Sequence, residues 1–158
     1  MYIDYFLKVF KENINKNAII WRNKDYSYEW LIDRYFFWVR ELEKKNVGNS
    51  SVIVIDADFS PNAIALLLAL IKNNAIIVPL TESVGSKKES FIEIAEGEIV
   101  ITINKNDKVT FNILNTISNH NIYAKLKKRN HPGLVLFSSG STGYNKASVH
   151  DMTYLLEK

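Results

Sequence analysis

The chain has 158 residues, 47% of them hydrophobic and 23% charged, with 20 basic and 17 acidic groups for a formal charge of +3. This is the balance of an ordinary folded domain, long enough to bury roughly 70% of the surface its unfolded form exposes, and it excludes the polar, highly charged composition of disorder. The lack of cysteine excludes disulfide scaffolds, thiol catalysis and cysteine-ligated metals.

In chain order, Tyr2, Tyr5, Phe6, Val9 and Phe10 recur at helical spacing and predict an amphipathic helix over 2–13. This start mixes acids and bases among its apolar residues and shows no basic, apolar and cleavage-site sequence of a signal peptide. Short β-rich pieces at 18–21 and 26–28 around the polar turn 22–25 predict a hairpin. Ser27 is placed to cap a helix whose stripe is Leu31, Tyr35, Trp38 and Leu42, ending before Gly48.

The middle is the most regular part. A strand at 52–56, an N-cap and N1 pair at Ser60 and Pro61, a helix over 63–71 and a strand at 75–80 make a βαβ unit. Both strands are nearly continuous apolar runs, as parallel strands covered on both faces require. The apolar run 63–71 is far shorter than the roughly 20 residues of a membrane span, so no membrane span is expected and a cytoplasmic location is the default. The unit repeats with Ser86 as the expected cap of a helix over 87–96, Gly97 as its stop and a strand over 98–103. Residues 99–103 and 109–113 then predict a hairpin around the turn 104–108.

Polarity rises from 116 to 130, where 122–129 has helical character. Lys125, Lys127, Lys128 and Arg129 form the one dense basic cluster, read as a solvated helix end that suits the helix dipole, with no nucleic-acid partner expected. His131, Pro132 and Gly133 punctuate the chain before an apolar strand at 134–137, and a short strand is expected at 147–150. Asp151 is placed to cap a last helix over 152–157. Asp56, Asp58 and Asp107 suit strand ends and turns, and Trp21, Trp30 and Trp38 suit packing; no spacing predicts a metal site.

Between the last two strands stand Ser138, Ser139, Gly140, Ser141, Thr142, Gly143, Tyr144, Asn145 and Lys146. Gly140 and Gly143 remove the Cβ atoms that hold a phosphate away from the backbone, so successive N–H groups can turn inward as a nest. The hydroxyls of Ser138, Ser139, Ser141 and Thr142 add donors, and Lys146 adds one full positive charge. The spacing fits neither a Walker A loop nor a dinucleotide fingerprint. Serine and glycine also dominate ordinary surface turns, so these residue types alone leave a plain connection open.

The order of residues decides more. LVLFSSGSTGYNKASVHD resembles the phosphate-binding signature of the adenylate-forming (AMP-binding) superfamily, which includes acyl-CoA synthetases, luciferases and peptide-synthetase adenylation domains. Upstream, AIIW, YSYEWL, VIVIDADFSPNAIALLLALIKNNAIIVPL and EIVITI resemble, in order, segments of the N-terminal domain of these enzymes. Asn145 stands where the family usually has proline and Ala147 where it often has glycine; neither change removes a phosphate donor.

The resemblance implies an α/β fold, a flavodoxin-like parallel sheet with flanking helices, in which residues 1–158 are the first subdomain, cut after the phosphate loop. It implies that Ser138, Ser139, Gly140, Ser141, Thr142, Gly143 and Lys146 hold the β- and γ-phosphates of ATP, with Mg2+ accompanying the nucleotide. The family's reaction activates a carboxylic acid as an acyl-adenylate and passes the acyl group to CoA or a carrier-protein pantetheine, an acid–thiol ligase of the acyl-CoA synthetase kind. His150 reads first as a structural residue, with nucleotide contact as the alternative. The family's catalytic lysine and its adenine and acyl pockets lie further along, so the isolated chain is expected to be inactive and to need the remaining domains. Two alternatives stand beside this: a peptide-synthetase-type adenylation fragment, and a non-catalytic α/β module that pairs with a separate polypeptide.

Overall fold

The structure, a computed structural model, describes residues 2–139 and 145–157. Helix α1 (Tyr2–Glu12) leads into strands β1 (Asn17–Trp21) and β2 (Lys24–Ser27), then α2 (Tyr28–Lys44). The β1–β2 turn is tighter than the sequence suggests: only Arg22 and Asn23 lie between the strands, at φ 52° and 59°. Two consecutive left-handed residues match the right-handed twist of a two-residue hairpin. Ser27 caps α2 as expected, its hydroxyl accepting the Trp30 N–H at 3.1 Å.

The main body follows as β3 (Val52–Asp56), α3 (Pro61–Lys72), β4 (Ile76–Leu80), a 3₁₀ segment (Glu82–Lys87), α4 (Lys88–Ile94), β5 (Ile99–Ile103) and β6 (Val109–Ile113). After these come α5 (Asn121–Arg129), β7 (Gly133–Ser139), β8 (Asn145–Asp151) and α6 (Met152–Leu156). The six-stranded sheet runs β6-β5-β3-β4-β7-β8. β5, β3, β4 and β7 are parallel, and β6 and β8 close the two edges as antiparallel partners. The α/β architecture expected from the sequence is the one present.

Strand alternation sorts the core into two layers. Ile53 and Ile55 of β3 face α1, α2 and α3, packing with Leu31, Trp38, Leu66 and Leu70. Val52 and Val54 face the other way, toward Tyr123 and Leu126 of α5 and Phe91 and Ile92 of α4. Both faces of the parallel strands are thus covered, which is why their sequences are unbroken apolar runs.

One cap differs from the expectation. Ser86 lies inside the 3₁₀ segment, where Gly85 at φ 56° turns the chain, and α4 starts after Lys87 with no side-chain cap. Lys88, the first residue of α4, holds its ammonium 2.7 Å from Asp56 Oδ1. At the far end Glu96 takes the left-handed position at φ 51°. Gly97 is required there for space: a Cβ would stand 2.9 Å from Val54 Cγ2 and 3.2 Å from Ile92 Cγ2.

Candidate functional site

The segment singled out by the sequence lies at the carboxyl edge of the parallel sheet, between β7 and β8. These strands pair from Gly133↔Asp151 to Ser139↔Asn145. The ladder therefore runs further out than the sequence expectation, in which the strands stop at Phe137 and restart at Ala147. Ser138 is exposed in this outer part of the ladder, and Asn145 keeps the backbone N–H that a proline at this position lacks.

Of the predicted site residues, Ser138 and Ser139 end β7, and Lys146 is the second residue of β8, directly opposite Ser138. Gly140, Ser141, Thr142 and Gly143 lie outside the described residues. Ser138 and Lys146 are both exposed, and Lys146 has no ion-pair partner among the described residues. Directly opposed residues of an antiparallel pair share a face, so hydroxyl and ammonium project to the same side.

Alternation along β7 says which side. Leu134 and Leu136 line an apolar slot of about 180 Å³ with Ile55, Phe59, Ala63 and Met152, while Val135 and Phe137 pack into the opposite layer. The Ser138–Lys146 rung therefore lies on the α3 side, next along from that slot. Phe59 is 65% exposed and Leu136 43% exposed, so the slot is open.

His150 is exposed on β8, opposite Leu134 in the ladder. Asp151 is the N-cap of α6, as expected: its Oδ1 accepts the Thr153 N–H at 3.0 Å and its Oδ2 lies 2.8 Å from His131 Nδ1.

Sequence reading missed a second feature at the same edge. The carboxyl ends of β3 and β5 border a crevice of about 350 Å³, lined by Trp21, Arg22, Asp56, Asp58, Lys88 and Thr102 among others. Asp56 is held by Lys88 at 2.7 Å and by the Thr102 hydroxyl at 3.1 Å, and Asp58 accepts the Glu82 N–H at 3.2 Å. Its walls come from chain segments far apart in the sequence, so no local motif announces it. Among the described residues no group of three or more His, Asp or Glu side chains could hold a metal ion.

No family model matches the chain, and no curated protein sequence matches it. Solved structures do. The Klebsiella oxytoca NpsA N-terminal subdomain in complex with 3-hydroxyanthranilyl-AMSN superposes with a TM-score of 0.71 at 18% identity, over 93% of this chain and 39% of that one. The fold is that of an adenylation-domain N-terminal subdomain. An artificially fused adenylation–PCP di-domain NRPS from the same organism, NpsA-ThdA, shares the adenylation fold at a TM-score of 0.71 and 18% identity, over 94% of this chain and 32% of that one. VinN matches at a TM-score of 0.72 and 16% identity, over 99% of this chain and 46% of that one.

The present chain thus spans less than half the length of each of these three structures. No helix among the described residues is long and apolar enough to cross a membrane.

Proposed function

We propose that this chain is the first subdomain of an ATP-dependent enzyme that activates a carboxylic acid as an acyl-adenylate, and that the β7–β8 hairpin grips the nucleotide's phosphates. The observation that carries the reading is the Ser138↔Lys146 pair. It sets an exposed hydroxyl donor and an exposed ammonium side by side on one face, at the sheet edge where doubly wound α/β folds place their ligands. These groups fit a polyphosphate: the lysine supplies charge and the serine a directed donor, flanking a segment whose glycines and hydroxyls suit a phosphate nest. ATP supplies the phosphorus centre at which the carboxylate is activated, with Mg2+ carried on its phosphates.

In this reading Ser138, Ser139, Gly140, Ser141, Thr142, Gly143 and Lys146 hold the β- and γ-phosphates. Donors aimed at the departing pyrophosphate stabilise charge that develops in the transition state, so they act on rate as well as on binding. The activated acyl group passes to a thiol, CoA or a carrier-protein pantetheine. The likeness to an adenylation–PCP di-domain supports the carrier arm. The remaining domains, by the lengths of the matched structures, supply the acyl pocket and the rest of the machinery, and the working location is the cytoplasm.

Pyrophosphate exchange tests this. It is measured with a panel of carboxylic acids on the longest natural polypeptide that contains this chain. Lys146→Ala is expected to lower exchange by about two to three powers of ten; exchange at the wild-type rate in that variant rejects the reading. The 158-residue chain by itself is expected to show no exchange.

A further inference from the structure

The β7–β8 arm has an unusual support. β4 pairs with β7 only at Ile76↔Gly133 and Ile77↔Leu134. The pairing stops two residues short of Pro79, which offers no N–H donor. From Val135 outward the described ladder of β7 is with β8 alone. A two-stranded ribbon by itself is marginal in water, so side chains must tie this one to the body.

The outermost tie is aromatic. Phe137, the last apolar residue before Ser138, stacks on Phe91 of α4 with ring centroids 4.0 Å apart and an interplanar angle of 4°. Val135 and Val149 tie the ribbon nearer its base. Phe137 pairs with Ala147, so the stack sits under the rung that immediately precedes Ser138↔Lys146. Phe91 is only half-buried and α4 has no fully buried residue, so this ring is not a central core element.

We infer that Phe91 is a positioning residue for phosphate binding: its ring fixes the height and angle of the Ser138–Lys146 rung above the sheet edge. The inference rests on the proposed function for its ligand and on the stack for its geometry. Packing energies of aromatic pairs imply an effect of about 3- to 10-fold on affinity or rate when the ring is lost. A phenol ring at the same place keeps the stack, whereas an alanine removes it.

The test has two readouts. Amide hydrogen exchange on the 158-residue chain compares wild type, Phe91→Ala and Phe91→Tyr. Phe91→Ala is expected to speed exchange along 135–139 and 145–149 while β3 and β5 keep their protection, and Phe91→Tyr is expected to restore it. Unchanged exchange in the arm, or equal acceleration throughout the sheet, overturns the positioning role. The second readout is the KM for ATP in pyrophosphate exchange by the longest natural polypeptide. Phe91→Ala is expected to raise it about 3- to 10-fold with rescue by Phe91→Tyr, and a KM equal to wild type overturns the inference. Loss of the Lys146 effect with the exchange pattern intact rejects the nucleotide reading and leaves the mechanical one standing.

Discussion

The indole N–H of Trp38 donates to Asn62 Oδ1 at 2.8 Å, deep between α2 and the first turn of α3. Trp38 is 1% exposed and Asn62 2% exposed, and Asn62 passes the chain on by donating its Nδ2 to Asp107 Oδ1 at 3.1 Å. Three segments that the sequence shows as unrelated are therefore joined by one polar relay, which runs from the buried Trp38 out to the exposed Asp107. Replacing Asn62 with leucine strands the indole donor, and a buried unpaired donor costs about 1–3 kcal/mol. Asn62→Leu should lower stability to denaturant by that amount. A double-mutant cycle with Trp38→Phe should show a coupling of about 1 kcal/mol or more; strict additivity would show that the relay does not act as a unit.

Lys146→Ala should leave the fold untouched. The side chain is exposed on an edge strand, where substitutions away from special features stay within about ±0.5 kcal/mol. Thermal and denaturant midpoints equal to wild type, beside the loss of pyrophosphate exchange, would separate a ligand-binding lysine from a structural one.

Glu98 is a pH-dependent clamp. Burial pushes its carboxyl up, but the Ser118 hydroxyl at 2.7 Å, the N–H groups of Val52 and Ser118, and the nearby Lys127 outweigh it and hold the group below the ordinary carboxylate range. A depressed folded-state value means stability that is present above the unfolded value, near 4.3, and lost as pH falls through the folded one. Glu98→Gln should cost about 1–2 kcal/mol at neutral pH. The gap from wild type should then close in urea titrations taken down toward pH 3, and a gap that stays constant with pH would remove Glu98 from the acid response.

Tyr123 is the opposite case. Burial, with Glu96 adding to it, pushes the phenol up to about 12, and its hydroxyl donates to the Ala95 carbonyl at 3.0 Å. Tyr123→Phe leaves that buried carbonyl without its donor, at a cost of about 1–2 kcal/mol. Spectrophotometric titration should show one tyrosine fewer in the last ionising step of the variant.

Gly97→Ala places a methyl group 2.9 Å from Val54 Cγ2. Val54 is fully buried and β-branched, with little freedom to yield. A loss of about 1–3 kcal/mol is expected from overpacking. Wild-type stability in a chemical denaturation curve would show that α4 shifts as a body.

How much of this the sequence announces depends on whether the cause is local. Ser60 and Pro61 start α3, and Ser27 and Asp151 start α2 and α6, because a cap is a contact between a side chain and an N–H two or three residues away. Ser86 misleads for the same reason: its position looks like a cap, but the turn at Gly85 leaves it inside the 3₁₀ segment, with α4 starting only at Lys88. Ser138, Ser139 and Lys146 are recognisable as candidate phosphate ligands, yet their placement on strands depends on rungs formed between residues on either side of the loop.

The linear order of residues determined the alternation of strands and helices and the two-faced apolar strands, and it marked the segment proposed here for phosphate binding, since periodicity, capping and loop composition act over a few neighbouring positions. The tertiary structure alone decided the strand order, the crevice at the ends of β3 and β5, the Trp38–Asn62 relay and the Phe91–Phe137 stack. Each of these joins residues whose meeting is selected only when the whole sheet has paired, because long-range contacts form only after loop closure has been offset by the burial of the complete core.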